Sequence, residues 1–91
     1  MIYSVAWTPA AEADLRRLDA RVAERIAAKI EWLSENADTA RIETLTGRWR
    51  GVCKLRVGNY RVLYTRDSAA CRIVVHVVGH RRRIYRMGGT D

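Results

Sequence analysis

An α+β fold, with an N-terminal strand and a helical hairpin packed on a small antiparallel sheet, is what this sequence predicts. Two observations predict it. Apolar residues recur at helical spacing in the first half of the chain, and in the second half they alternate with a period of two between turn residues. A length of 91 residues suits one domain, expected to span 1–91.

The elements follow in order. Residues 2–7 alternate enough to form a short strand. Thr8 and Pro9 then supply an N-cap and a proline at the first helical position, where its missing N–H is no loss. Residues 9–18 are Ala-rich, with Leu15 and Leu18 on one face. Over residues 21–35, Val22, Ile26, Ile30 and Leu33 form an apolar stripe with charges opposite, which predicts a second helix. The joint at Asp19-Ala20 is short, so the two helices form a hairpin, and Asn36-Ala37-Asp38 ends it. Residues 39–51 are a connector containing Leu45-Thr46-Gly47 and Trp49-Arg50-Gly51. Residues 52–57, 60–67 and 71–79 are rich in Val, Ile and Tyr and read as strands of an antiparallel meander, with the helices on one face. Gly58-Asn59 is a two-residue hairpin loop of the primed kind.

Composition narrows the function classes. No apolar run approaches the length that crosses a bilayer, so no membrane association is expected. Met1 to Val5 lack a basic region followed by an apolar stretch, so no signal peptide is read and the expected location is the cytoplasm. In that reducing compartment Cys53 and Cys71 are expected as unpaired, small apolar fillers. Neither lies in a CxxC pair or beside histidines at ligand spacing, so neither a metal site nor a cofactor is expected. Charge is lopsided. Residues 1–49 carry seven Lys/Arg against eight Asp/Glu, whereas residues 50–86 carry ten against Asp67 alone, a net of +9. A solubilising surface interleaves both signs, so this asymmetry points to a polyanionic partner, nucleic acid or an acidic protein.

The two-residue loop sets a register in which Val57 faces Tyr60, Arg56 faces Arg61, Leu55 faces Val62 and Lys54 faces Leu63. Lys54, Arg56 and Arg61 then leave one side of the sheet, and Cys53, Leu55, Val57, Tyr60, Val62 and Tyr64 leave the side that packs on the helices. Two arginines opposite each other, with no acid on these strands, destabilise the pair. A phosphate bound there would offset that cost. Alternatively, the arginines splay apart or pair with Glu43 or the chain end. The run Gly79-His80-Arg81-Arg82-Arg83-Ile84-Tyr85 is either a solvated basic edge or a phosphate site with a tyrosine to stack on a base. His76, mid-strand among valines, reads as a packing residue. His80 is either a spacer or a group that nears a phosphate. Trp32 and Trp49 read first as packing residues, Trp49 having a claim on RNA or an acidic protein partner through its neighbours Arg48 and Arg50.

Leu45-Thr46-Gly47, the block Lys54-Leu55-Arg56-Val57-Gly58-Asn59-Tyr60-Arg61-Val62-Leu63-Tyr64, and then Val78-Gly79-His80-Arg81 and Tyr85 resemble the signature of RelE-type toxins of the RelE/ParE superfamily. Trp7-Thr8-Pro9-Ala10 at the head of the helical hairpin is similar to that family too. The resemblance implies a type II toxin–antitoxin toxin that cuts messenger RNA in the ribosomal A site, the 2′-hydroxyl attacking the adjacent phosphate, and that a RelB-like acidic antitoxin restrains. It assigns the catalytic positions to Lys54, Arg61, Arg81 and Tyr85. Lys54 would stabilise the attacking hydroxyl or accept its proton. Arg61 and Arg81 would neutralise the transition state, and Tyr85 would stack on a base or assist proton transfer. Arg56, Arg82, Arg83, Trp49 and His80 are the expected RNA-binding residues. Two departures stand out. Val52 occupies a place where some relatives have a second lysine, and only residues 86–91 follow Tyr85, where others add a C-terminal helix. A related branch uses a glutamate at the position of Glu43 as a base; here Glu43 reads rather as a surface acid. ParE-type toxins share the fold and much of the Lys54–Tyr64 block but poison DNA gyrase, and they tend to lack the lysine, late arginine and terminal tyrosine present here. A non-catalytic RNA-binding module would explain the charge but not the spacing.

Overall fold

Thr8 Oγ1 accepts the Ala11 N–H and Pro9 opens the first turn, so strand β1 (Ser4–Trp7) passes directly into helix α1 (Pro9–Arg16). Asp19 then caps helix α2 (Ala20–Asn36) by accepting the Arg21 N–H at 2.9 Å. In this computed structural model residues 2–88 are described; Met1 and residues 89–91, the ends of the expected domain span, lie outside the described residues. After α2 come a two-residue strand β2 (Glu43–Thr44), a single 3-10 turn (Gly47–Trp49), strands β3 (Cys53–Val57), β4 (Tyr60–Asp67) and β5 (Arg72–His80), and a short helix α3 (Arg81–Arg86).

The five strands form one sheet in the order β1-β5-β4-β3-β2. The expected meander β3–β4–β5 is antiparallel, and β1 joins its edge parallel to β5. A parallel neighbour requires a long crossover, which α1 and α2 provide. The hairpin register is the one the loop length dictates, with Arg56 opposite Arg61 and Lys54 opposite Leu63. Gly58 has φ +59 and Asn59 has a negative φ, the pattern of a type II′ turn. A Cβ on Gly58 would also lie 2.9 Å from the Arg25 guanidinium.

The main core lies between the helices and one sheet face: Ile26, Ile30 and Leu33 of α2 cover Cys53, Val57, Val62, Tyr64, Ile73, Val75 and Val78. A bulge lets Val75 and Val78 both face the helices, for Leu63 pairs with Val77 and Tyr64 with Val75, so His76 has no partner in the register. His76 is half-buried, and its Nε2 lies 2.9 Å from Thr65 Oγ1. The opposite face carries a second, smaller cluster. There Leu45, Leu63 and Ile84 are buried, with Trp49, Val52, Val77 and Met87 packed around them. Sequence alone leaves residues 81–85 as chain leaving the sheet, but they are helical here. Ile84 is 1% exposed, and a six-residue helix needs such anchoring because nucleation is unfavourable in isolation.

Tyr64 and Cys53 are neighbours inside the main core. Burial pushes the Tyr64 phenol from 10.0 up to about 12, and the adjacent thiol adds to the shift. Burial also raises the Cys53 thiol from 9.0. Both folded-state values lie above the unfolded ones, so their stabilisation is complete below pH 9 and is lost as pH rises towards about 12. The urea midpoint is expected to hold up to about pH 9 and then fall as pH rises towards 12, the phenol contributing about 2–3 kcal/mol. A midpoint that rose over this interval would reverse the assigned direction.

Candidate functional site

On the sheet face beneath α3, strand β2 places Glu43 opposite Lys54. Glu43 Oε2 lies 3.6 Å from Lys54 Nζ and its Oε1 lies 3.3 Å from Arg56 Nε. Of the two readings of the Arg56–Arg61 pair, the structure realises the one in which Glu43 pairs with Arg56, and the unrelieved face-off of the arginines is corrected. The acid comes from a strand of only two residues, too short to show a period, and it is a partly exposed acid that serves both cations. Lys54 is buried, its side chain 3% exposed, whereas half of Arg56 meets solvent.

Arg61 is 4% exposed, and its Nη1 donates to the carbonyls of Gly58 and Tyr60, each at 2.9 Å. The guanidinium thus folds back over the hairpin turn of its own strand. Arg81 meets the same turn from α3, for its backbone N–H donates to the Asn59 carbonyl at 2.8 Å. Gly79 pairs with Arg61 one strand away, so β5 delivers the start of α3 beside that arginine.

On the outward side of α3, Arg81, Arg82, Tyr85 and Arg86 line a hollow of about 370 Å³. Tyr85 is 65% exposed there, a large aromatic face open to solvent. A hollow edged by three guanidinium groups and a phenol suits a phosphate with an adjoining base.

Three of the expected RNA-binding residues instead hold α3 in place. His80 is its N-cap: Nδ1 accepts the Arg82 N–H at 3.2 Å, and the ring stands edge-on to Tyr60 with centroids 5.5 Å apart. Arg83 donates to Asp14 Oδ1 at 3.0 Å and to the Val78 carbonyl at 3.1 Å. Trp49 packs in the smaller core and donates from Nε1 to the Met87 carbonyl at 2.9 Å.

The structure therefore gathers Arg81, Arg82 and Tyr85 in one hollow, sets Lys54 and Arg61 buried on the neighbouring strands, and leaves Arg56 at the sheet edge. Sequence reasoning missed Arg86, because α3 was not predicted. It also missed Asp14, although an acid among Ala11, Leu15 and Leu18 on the inward stripe of α1 was a legible signal. Among the described residues no three His, Cys, Asp or Glu side chains gather to hold a metal ion, and no helix is long and apolar enough to cross a membrane.

A sequence model of the ParE toxin of the type II toxin–antitoxin system parDE matches residues 5–85. The structure is similar to that in the RelBE2 toxin–antitoxin complex from Mycobacterium tuberculosis, at TM-score 0.80 and 27% identity over 88% of this chain and 92% of that one. It is also similar to the intact RelBE complex from Escherichia coli, at TM-score 0.64 and 27% identity, covering 86% and 95% of the two chains. The YoeB/ParE toxin from Agrobacterium tumefaciens shares the fold at TM-score 0.70 and 23% identity, covering 85% and 96%. No curated protein is significantly similar to the chain.

Proposed function

The chain belongs to the ParE toxin family, within the RelE/ParE superfamily of type II toxin–antitoxin toxins, and from its site residues we propose that it is a cytoplasmic endoribonuclease that cuts messenger RNA in the ribosomal A site. The observation that carries this reading is the hollow of Arg81, Arg82, Tyr85 and Arg86 on the outward side of α3, the helix whose first N–H is tied to the hairpin turn that Arg61 also braces. Cations and one phenol suffice to bind a phosphate and stabilise its transition state, provided the nucleophile comes with the substrate. The 2′-hydroxyl next to the scissile bond is such a nucleophile. Arg81 and Arg82 take the phosphate, and Tyr85 stacks on a base. Arg61, buried beside the turn to which α3 is tied, adds positive charge where water is scarce and a charge counts for more, and Lys54 adds its own with Glu43 3.6 Å away. Lys54 also faces the attacking hydroxyl as the group that stabilises it or accepts its proton. Primer extension on cellular messages after induction of the toxin alone tests this: discrete new 5′ ends are expected, and intact messages would overturn it.

The ParE match favours a second reading, a gyrase poison without nuclease activity. Trapped gyrase–DNA complexes with intact messages are its signature.

The proposed restraining partner is an acidic, RelB-like antitoxin whose segment folds across the basic face, as the net +9 over residues 50–86 suggests. Screening then acts within about 8–10 Å, so affinity for the co-expressed antitoxin is expected to fall as salt is raised from low to moderate strength. An affinity indifferent to salt would count against an electrostatic interface.

A further inference from the structure

Past Thr8, whose N–H donates to the Val75 carbonyl at 3.0 Å, no strand among the described residues pairs with β5 on its β1 side, and the N–H and C=O of Val78 point away from β4 into that gap. A pair of side chains fills it. Asp14 Oδ2 accepts the Val78 N–H at 3.1 Å, Arg83 Nη1 donates to the Val78 carbonyl at 3.1 Å, and the same nitrogen donates to Asp14 Oδ1 at 3.0 Å. The Asp14 side chain is 6% exposed, and its other cation, Arg17 at 3.4 Å, is 72% exposed. The carboxylate thus joins three elements: α1, which carries it, β5, whose edge it closes, and α3, whose arginine it holds.

We propose that Asp14 is a positioning residue for the α3 hollow. Through Arg83 it sets the roll of α3, and so decides where Arg81 and Tyr85 point. Ile84 alone, buried under the helix, fixes its depth and leaves it free to turn about its axis. Trp49 holds the carbonyl at the far end, and His80 caps the near end. Arg83 projects to the side, between the buried Ile84 and the outward Arg82, and is the contact that resists rolling. A helix of six residues has no rigidity of its own to replace it. This inference deepens the nuclease reading and rests on it only for its catalytic consequence.

Two readouts on the full-length protein test it. Native-state hydrogen exchange reads the helix. In Asp14→Asn and Arg83→Ala, protection of the Met87 and Gly88 amides is expected to fall about tenfold or more, while that of Val62 and Leu63 changes by less than about threefold. Cleavage in a reconstituted translation system reads the site. The maximal rate is expected to fall about tenfold to 100-fold, with the half-saturating ribosome concentration within about threefold of the parent's. Arg83→Lys should recover much of both losses, and Arg17→Ala should leave α3 protection and cleavage at the parent's level. Equal loss of protection in α3 and in the central strands would make Asp14 a general stability residue and overturn the proposal. So would unchanged cleavage in a variant whose α3 amides had lost protection. If the parent cuts no message, the nuclease reading fails, and the exchange data still decide whether Asp14 holds α3.

Discussion

Arg81→Ala is expected to lower message cleavage by about 100-fold or more, the usual cost of removing one well-placed cation from a transition state, and to leave the urea midpoint where it was. The side chain is exposed, and the backbone N–H that ties α3 to Asn59 survives the substitution. Surface changes that break no cap and open no cavity stay within about 0.5 kcal/mol. Tyr85 separates two chemistries in the same assay. If its ring stacks on a base, Tyr85→Phe keeps activity within about threefold, and Tyr85→Ala loses about 10-fold or more, since stacking on a base is worth roughly 1–3 kcal/mol. If its hydroxyl moves a proton, both variants lose alike. An Arg81→Ala protein that cleaves at the parent rate would move the chemistry away from α3.

The parts of this molecule that were legible in its sequence are those set by local rules. Thr8-Pro9 marks the start of α1 through a cap and a ring that tolerates only that position. Gly58-Asn59 fixes the pairing of β3 with β4 residue by residue, because a two-residue loop leaves one register. The parts that were not legible depend on tertiary contacts without a periodic signature. β2 is two residues long and shows no period, so Glu43 could be named as one possible partner of the arginines but not placed between Lys54 and Arg56. In α3 one isoleucine in a run of arginines shows no apolar repeat, and its helicity comes from Ile84, Arg83 and the His80 cap acting together. The bulge at His76 shifts the strand alternation midway, which sends Val77 to the second face and allows a smaller core under α3. The nine expected site residues were named by type and spacing, but their arrangement was not, since five of them turned out to be engaged in holding α3 or with Glu43.

Arg61 shows how far that arrangement changes an expectation. From the strand pattern alone, deleting it relieves repulsion with Arg56, so stability would stay level or rise slightly. In the folded chain Glu43 draws Arg56 aside, and Arg61 serves two carbonyls of the turn while almost wholly buried. Arg61→Ala is therefore expected to destabilise by about 1–3 kcal/mol, the cost of losing two charge-assisted hydrogen bonds from a buried guanidinium to part-buried turn carbonyls. Arg56→Ala, half-exposed and paired at the surface, should change stability by less than about 1 kcal/mol. Arg61→Lys keeps the charge but not the fork that spans two carbonyls, so it should fall between. The catalytic loss must be separated from this structural one. Cleavage is to be compared at a temperature where circular dichroism shows each variant fully folded. There Arg61→Ala is expected to remain about 100-fold or more below the parent, because the missing positive charge still weakens the phosphate transition state. Parent-like stability in Arg61→Ala would mean that the turn carbonyls find other donors. Recovery of full cleavage once the variant is folded would make Arg61 a brace for the hairpin and leave the chemistry to Lys54 and Arg81.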